Sequence, residues 1–237
     1  MVEENTKIIT LEDRENISVE IKRKRIKNMY LRVKAGGCVA VSAPFAFTDE
    51  MILNFAGKHR DWIAKHLEKS ESRPPENVYN YVSGETFSYK GKSYTLKAVT
   101  DKAKYLAIGD KEILITFPIG TSRENKEAFF KKQMKIRLIR YLKERIFFWE
   151  EIMKLHSSSF QVREMKSRWG SCNTRTGKLC FNLYLIKADP VCIDYVIIHE
   201  LSHLVYAGHG ADFWGLVMIY MPYYKRIRKK LNEIHIG

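Results

Sequence analysis

The sequence contains few cysteines and no long apolar run. Its four cysteines, spread over 237 residues, include no C-x-x-C pair, so we expect reduced thiols and not a disulfide framework. No apolar run approaches the ~20 residues that a bilayer-spanning helix needs, and residues 1–15 lack the apolar segment of a signal peptide. These features predict a cytoplasmic protein that does not cross a membrane.

Acidic residues are also scarce. The chain has 27 Asp and Glu but 41 Lys and Arg, which gives a net charge of +14. Such a charge favours association with polyanions such as nucleic acid, acidic proteins or phosphorylated small molecules. The stretch 22–34 is the most basic part of the N-terminal third. A generic solvated surface explains the charge equally well, because the basic residues are spread over several segments.

The segment from Asp189 to His209 carries the strongest functional signal. It contains H-E-x-x-H as His199, Glu200 and His203, followed by His209. Positions i and i+4 lie on the same face of a helix, so the first two imidazoles can converge on one cation. The alternative, two hydrogen-bonded core histidines beside a chance glutamate, does not explain a carboxylate on an otherwise apolar helix.

The residues that flank this motif predict a helix from Pro190 to Ala207. Asp189 is a good N-cap residue, and proline suits the first helical position. Gly208 is expected just past the end of the helix, where a left-handed backbone is needed. The residues between are apolar on nearly every face, which indicates a helix buried in a core.

Three histidines occupy three corners of a tetrahedron and leave the fourth for water, as in catalytic and not structural zinc sites. A zinc-bound water is acidified toward a pKa of about 7, and Glu200 would take its proton and pass it to a leaving group. An acidic third ligand is the alternative to His209. Only Asp212 and Glu233 follow His203 as carboxylates, and neither lies in a convincing motif.

The pattern of elements predicts an α+β protein with two parts. Residues 1–120 form a basic, β-rich N-terminal region with one helix at about 48–69, and residues 121–237 form a zincin-like domain with the HExxH helix. A long amphipathic helix is expected from Ser122 to Lys154. Two strands, 160–171 and 179–186, should lead into the HExxH helix. We find no internal repeat in the sequence.

Several segments together resemble one known family. The runs SRWGSC (167–172), GKLCFNLYLI (177–186), HELSHLVYAGH (199–209) and Asp212-Phe213-Trp214 look like the YgjP-like metallopeptidases, which are related to the SprT-like and WLM zinc proteases. The resemblance implies that His199, His203 and His209 bind zinc and that Glu200 is catalytic. It also implies that a hairpin lines the substrate cleft with Arg168, Trp169, Ser171 and Asn182.

Three functions are compatible with these residues. The leading one is a zinc metallopeptidase that cleaves a peptide or protein substrate, with the basic surface recruiting a polyanionic or nucleic-acid-bound target. The second is a metal-dependent phosphohydrolase acting on nucleoside triphosphates, in which Arg168 would hold phosphate. The third is a basic nucleic-acid-binding module with a structural zinc, against which the open fourth ligand position argues.

Overall fold

A computed structural model describes residues 6–11, 17–33, 38–71 and 79–234. The chain divides into two compact units, residues 1–77 and 78–237. This boundary lies well before residue 120, where the sequence analysis placed it. Within the described residues, no helix is both long and apolar enough to span a bilayer.

The first unit is a four-stranded sheet with two helices. Strand β2 runs parallel to β4, while β1 and β3 pair antiparallel on the outside, giving the order β1-β2-β4-β3. Buried side chains of β2 and β4, such as Val19 and Val41, pack against Ile52 and Ile63. The elements are β1 (Thr6–Leu11), β2 (Ile17–Lys24), β3 (Tyr30–Val33), β4 (Val39–Pro44), α1 (Asp49–Lys58) and α2 (Arg60–Glu71).

The single helix expected at 48–69 is in fact two helices. Thr48 caps α1 as its residue type predicts, since its hydroxyl accepts a hydrogen bond from the Met51 amide at 3.3 Å. His59 then leaves the helical conformation and separates α1 from α2. Its Nδ1 lies 2.8 Å from the carbonyl oxygen of Phe55. The side chain therefore bonds a carbonyl group that would accept from a backbone amide in a continuous helix.

The second unit begins with another four-stranded sheet, β5 to β8. Its order is β5-β6-β8-β7, with β6 and β8 parallel. Buried residues of this sheet, among them Leu96 and Ile113, share one core with Leu138 and Ile197 from later helices. This shared core explains why the boundary precedes the sheet. The strands are β5 (Thr86–Tyr89), β6 (Lys92–Thr100), β7 (Tyr105–Ile108) and β8 (Glu112–Phe117).

The two four-stranded sheets repeat one topology. Both have a central parallel pair flanked by antiparallel strands in the same chain order. Both third strands begin with Tyr-Leu, at Tyr30 and Tyr105. In both, a proline at the end of the fourth strand (Pro44 and Pro118) lies four residues before the hydroxyl residue that caps the next helix. The structure thus reveals an internal repeat that the sequence alone did not show, because so few residues are shared.

Helix α3 (Arg123–Met153) is the long amphipathic helix that the sequence predicted. The Ser122 hydroxyl caps it by accepting from the Asn125 amide at 3.3 Å, and Lys154 ends it in a left-handed conformation. Arg145 donates two hydrogen bonds, of 2.8 and 2.7 Å, to the carboxylate of Asp194. This bidentate pair fixes α3 against the helix that carries the histidines.

The remaining elements surround that helix. The strands predicted at 160–171 and 179–186 are shorter, because residues 164–169 form a loop and residues 183–187 form a 3-10 helix. A three-stranded sheet has the order β10-β11-β9, which leaves β10 at an edge. The elements are β9 (Ser159–Arg163), β10 (Gly170–Asn173), β11 (Lys178–Asn182), the 3-10 helix (Leu183–Lys187), α4 (Pro190–Ser202), α5 (Ala211–Tyr220) and α6 (Tyr224–Asn232).

The positive charge belongs mainly to the second unit. Residues 78–237 contain 27 Lys and Arg but 15 Asp and Glu, so they carry +12 of the net charge of +14. The region predicted to be basic, residues 1–120, contains 20 Lys and Arg and 16 Asp and Glu, so it carries +4 of the net charge. In the first unit, the side chain of Arg23 makes contacts within the protein. It bonds Asp49 at 2.6 Å and contacts the carbonyl oxygen of Phe47.

Candidate metal centre and its cleft

Helix α4 is buried on almost every side. Pro190 occupies its first turn, as the sequence predicted. Asp189 precedes it, but its side chain makes no capping hydrogen bond and contacts Lys230 instead. Most of its buried side chains are apolar and belong to the main core. Glu200 and Ser202 are its buried polar residues.

The helix ends at Ser202, earlier than the predicted end at Ala207. The amides of Leu204 and Tyr206 bond back to Leu201 and Ser202, at 2.9 and 3.0 Å, so the chain turns tightly after the motif. The φ angle of Gly208 is not positive, so this residue lacks the left-handed conformation that the sequence analysis expected. The early end lets the chain double back and return His209 to the helix.

The three histidines converge. Their candidate ligand nitrogens all lie within 4.8 Å of one another, and Nε2 of His209 is 3.1 Å from Nε2 of His199. Two nitrogens bound to one tetrahedral zinc at about 2.05 Å would be separated by about 3.4 Å. Among the described residues, these three side chains form the one cluster of three or more potential ligands.

The protonation of the imidazoles suits metal binding. Nδ1 of His203 donates to the carbonyl oxygen of Tyr206 at 3.0 Å, which leaves its Nε2 with a free lone pair. Burial, together with His203 and His209, lowers the pKa of His199 to about 3. Burial and His203 also lower the pKa of His209. At neutral pH, His199 and His209 are therefore uncharged and can donate electron pairs to a cation.

Glu200 lies in the protein interior next to the cluster. It is 3% exposed, and its Oε2 atom is buried without a hydrogen-bond partner among the described residues. Burial raises the pKa of this carboxyl to about 8, which Arg168 partly opposes. A buried, unpaired carboxylate beside three converging imidazoles is a donor set that a divalent cation with a water ligand would satisfy.

Gly170 provides the space that Glu200 occupies. A Cβ atom at this position would lie 2.5 Å from Oε1 of Glu200 and 2.8 Å from its Cγ and Cδ. Because Gly170 is the first residue of β10, the carboxylate is held directly against the backbone of the edge strand. The sequence analysis named this glycine only as part of the resemblance to a family.

A cavity of about 710 Å³ opens beside the histidines. Arg168 and Trp169 line it, as the sequence analysis expected, but Ser171 and Asn182 do not. Helix α5 contributes Trp214 of the Asp212-Phe213-Trp214 motif, and α6 contributes residues that the motifs did not reveal. The lining residues are Ser167, Arg168, Trp169, Gly170, Tyr195, Val196, His199, Glu200, His209, Trp214, Arg228, Leu231 and Asn232.

Asn182 acts behind the cleft wall. The sequence analysis expected it to line the substrate cleft. It is fully buried, however, and cannot contact a substrate directly. Its Nδ2 donates to the carbonyl oxygens of Met165 and Arg168, both at 2.8 Å, and its Oδ1 accepts from the amides of Met165 and Tyr184 at 3.3 and 3.2 Å. Three of its four side-chain hydrogen bonds therefore hold the loop that carries Arg168 and Trp169, and the fourth caps the 3-10 helix at Tyr184.

The cysteines near the cleft are free thiols. The register of β10 and β11 places Ser171 opposite Cys180 and Cys172 opposite Leu179, so the two cysteines do not face each other. Burial, together with the charge of Glu200, raises the pKa of Cys172 to about 11. At neutral pH this thiol is protonated, which makes it a poor nucleophile and a poor metal ligand.

The family model for the YgjP-like metallopeptidase domain matches residues 27–234. The chain belongs to this family. It is therefore a hydrolase with a metallopeptidase domain, and the match covers both compact units. The resemblance noted from the sequence motifs is confirmed. No significant match exists among curated protein sequences.

Two solved structures are similar to part of this YgjP-like chain. One is the metallopeptidase zymogen abylysin of Pyrococcus abyssi, with 19% identity and a TM-score of 0.36 over 38% of this chain and 90% of that chain. The other is the metallopeptidase zymogen jannalysin of Methanocaldococcus jannaschii, with 22% identity and a TM-score of 0.35 over 39% of this chain and 94% of that chain.

Proposed function

We propose that the protein is a zinc-dependent metallopeptidase. His199, His203 and His209 would hold the zinc, and Glu200 would be the catalytic carboxylate. The observation that carries the proposal is the pairing of three convergent imidazoles with a buried carboxylate that lacks a hydrogen-bond partner within the described residues. When bound, zinc supplies Lewis acidity and lowers the pKa of a coordinated water toward neutrality.

Glu200 is positioned to move a proton. Its Oε2 has no donor from the described protein, and a bound cation would favour the ionised form of this carboxyl. This oxygen would then be available to accept a proton from the attacking water and deliver it to the departing amine. The backbone of Gly170 lies directly against its side chain, which limits the side chain's movement on that side. A fixed geometry of this kind reduces the entropy that must be lost when the reacting groups come together.

The edge strand β10 would align the substrate. It bonds β11 on one side only, so its other edge has backbone groups that can pair with an extended peptide. Since β10 begins at Gly170, a peptide on this edge would run past Glu200. The loop held by Asn182 places Trp169 in the cavity wall, where its ring can exclude water.

The two alternatives from the sequence are less well supported. A structural zinc requires a fourth protein ligand, but within the described residues the cluster contains three. Nucleic-acid binding by residues 22–34 loses support because the excess positive charge lies in the second unit. The family match favours a peptide or protein substrate over a nucleotide. We also propose a cytoplasmic location, which four free thiols support.

A peptide library tests the proposal. Zinc-loaded protein should cleave internally quenched peptides, and Glu200→Gln should reduce the rate by about 10²- to 10⁴-fold while zinc remains bound. Glu233→Gln is a matched control, because Glu233 is an exposed carboxylate at the end of α6. Hydrolysis of nucleoside triphosphates without cleavage of any peptide would refute the peptidase assignment.

A further inference from the structure

Two arginines line the cavity from different elements. Arg168 belongs to the loop before β10, and Arg228 belongs to α6. Glu200 is the one carboxylate among the lining residues of this cavity. The walls therefore carry two guanidinium groups in addition to any bound cation, which makes the cleft electropositive.

Neither guanidinium has an ion-pair or hydrogen-bond partner within the described residues. Arginines elsewhere in the fold do, since Arg23 pairs with Asp49 and Arg145 pairs with Asp194. Toward residues 6–11, 17–33, 38–71 and 79–234, Arg168 and Arg228 form no ion pair and donate no side-chain hydrogen bond. Each guanidinium has five N–H donors that are available to a ligand. A carboxylate can accept hydrogen bonds from two of these donors at once.

The fold nevertheless positions both arginines. The carbonyl oxygen of Arg168 accepts a 2.8 Å hydrogen bond from the buried amide of Asn182, which fixes the backbone at that point. The guanidinium of Arg228 lies 5.3 Å from the ring centroid of Trp214. A guanidinium above an aromatic ring keeps its N–H edge free for an anion.

Trp214 connects Arg228 to the metal ligands. Its ring stacks on Tyr224, with centroids 5.0 Å apart and an interplanar angle of 11°. The centroid of Trp214 also lies 5.7 Å from that of His209. Because Tyr224 is buried, this aromatic stack is a rigid support, and it places the cation of Arg228 close to the position where the substrate is cleaved.

We propose that Arg228 is a specificity-determining residue that binds the side-chain carboxylate of an acidic residue close to the scissile bond, with Arg168 as a second contact. This inference depends on the proposed peptidase function and specifies its substrate as an acidic peptide. The charge of α6 supports it, because this nine-residue helix contains five basic residues, of which Lys230 contacts Asp189. Such a helix attracts an acidic chain toward the cleft.

Binding measured without turnover tests the proposal. Zinc-loaded Glu200→Gln protein is titrated with two acetylated, amidated peptides that differ in one Glu or Gln, and the fluorescence of Trp169 and Trp214 reports occupancy of the cleft. The Glu peptide should bind about tenfold more tightly. Arg228→Gln should abolish this difference, and Arg228→Glu should reverse it in favour of a Lys peptide.

Lys229 provides the matched control. It is an exposed cation on the same helix that does not line the cavity. Lys229→Glu makes the same change in net charge as Arg228→Glu, so it should weaken binding of the Glu peptide slightly and keep the preference for Glu over Gln. Zinc content and thermal stability establish that each variant is folded. Arg168→Gln, measured in the same way, should reduce the preference without reversing it.

Each outcome decides the proposal. The proposal is overturned if the Glu200→Gln protein that retains Arg228 binds the Glu and Gln peptides equally. It is also overturned if Lys229→Glu reverses the preference as fully as Arg228→Glu does. A preference that appears only with a free C-terminal carboxylate overturns the side-chain assignment. If acid-selective binding is present but zinc-loaded protein with Glu200 cleaves no peptide, the peptidase function fails and the anion-binding role of Arg228 remains.

Discussion

The carboxylate of Glu200 rests on the backbone of Gly170, with Oε1 only 2.5 Å from the position that a Cβ atom at residue 170 would occupy. The edge strand and the HExxH helix are therefore in direct contact at the residue that would move the proton. Any side chain at position 170 must displace Glu200. This contact would tie the proposed alignment of the substrate on β10 to the placement of the proposed catalytic carboxylate.

Gly170→Ala should lower peptidase activity without removing zinc. The added methyl group pushes the carboxylate away from its position, and a displacement of about 1 Å can reduce the rate by about 100-fold. Steady-state cleavage of a quenched peptide measures the loss, and metal analysis confirms that the histidines still bind zinc. Gly215→Ala is the control, because a Cβ atom there meets nothing within 4 Å. Unchanged activity in Gly170→Ala would refute the positional role.

The stability of zinc-free protein should fall as the pH rises. Burial raises the pKa of Glu200 from its ordinary value of 4.5 to about 8, so between these values the unfolded chain has released a proton that the native state retains. Glu200 therefore contributes a decrease of up to about 1.4 kcal/mol per pH unit to the free energy of unfolding in this window. The lowered pKa of His199 gives an opposite slope up to about pH 6.5, so the net fall is expected between about pH 6.5 and pH 8. Urea denaturation at several pH values measures it.

Glu200→Gln is the comparison that isolates this effect. The variant should lack the slope between pH 5 and pH 8 that Glu200 adds to the wild-type curve, while Glu233→Gln should retain it. Zinc should also flatten the wild-type curve, because a nearby cation favours the ionised carboxylate. Parallel pH curves for zinc-free wild type and Glu200→Gln would contradict the burial of an unpaired carboxyl.

Asn182→Ala should destabilise the protein and loosen the cleft wall. The change leaves two part-buried carbonyl groups and two amides without their partner, at a cost of about 3 kcal/mol. We expect a lower midpoint of urea denaturation and faster proteolysis within residues 164–169. Asn125→Ala, at an exposed site in the first turn of α3, should change neither measurement. Wild-type stability in Asn182→Ala would show that the loop is held by other contacts.

Zinc should stabilise the protein through the three histidines. A ligand that binds only the folded state adds about 4 kcal/mol at a free concentration 1,000 times its Kd. Thermal denaturation with and without a chelator should show this gain in the wild type and its loss in His199→Ala. His156→Ala provides the control, since His156 is an exposed histidine of the same unit. Equal chelator sensitivity in both variants would exclude His199 as a ligand.

The sequence was sufficient for the centre of the site but not for its surroundings. His199 and His203 could be found because i and i+4 residues always share a helical face. Helix α3 could be bounded because its cap and its apolar period are local signals. Gly170, in contrast, meets Glu200 across 30 positions of the chain, and nothing local to either residue encodes that contact.

The misassigned residues illustrate the same limit. Asn182 was expected in the cleft because the family resemblance implied that its hairpin lines the cleft. Its burial depends on the path of residues 164–169, which was read as a strand. Arg228 was not identified, since its position over Trp214 depends on how α5 and α6 pack. The end of α4 was misplaced because Gly208 suggested a terminator, whereas tight turns after Ser202 end the helix first.

X-ray absorption at the zinc edge of the zinc-loaded protein is the most direct test of the three-histidine site. We expect one zinc per chain with three imidazole nitrogens at about 2.0 to 2.1 Å, one further light-atom ligand from solvent, and loss of the signal in His209→Ala. A sulfur ligand at about 2.3 Å would contradict the account, because it would mean that a cysteine such as Cys172 closes the site. Retention of the full imidazole signal in His209→Ala would contradict it as well.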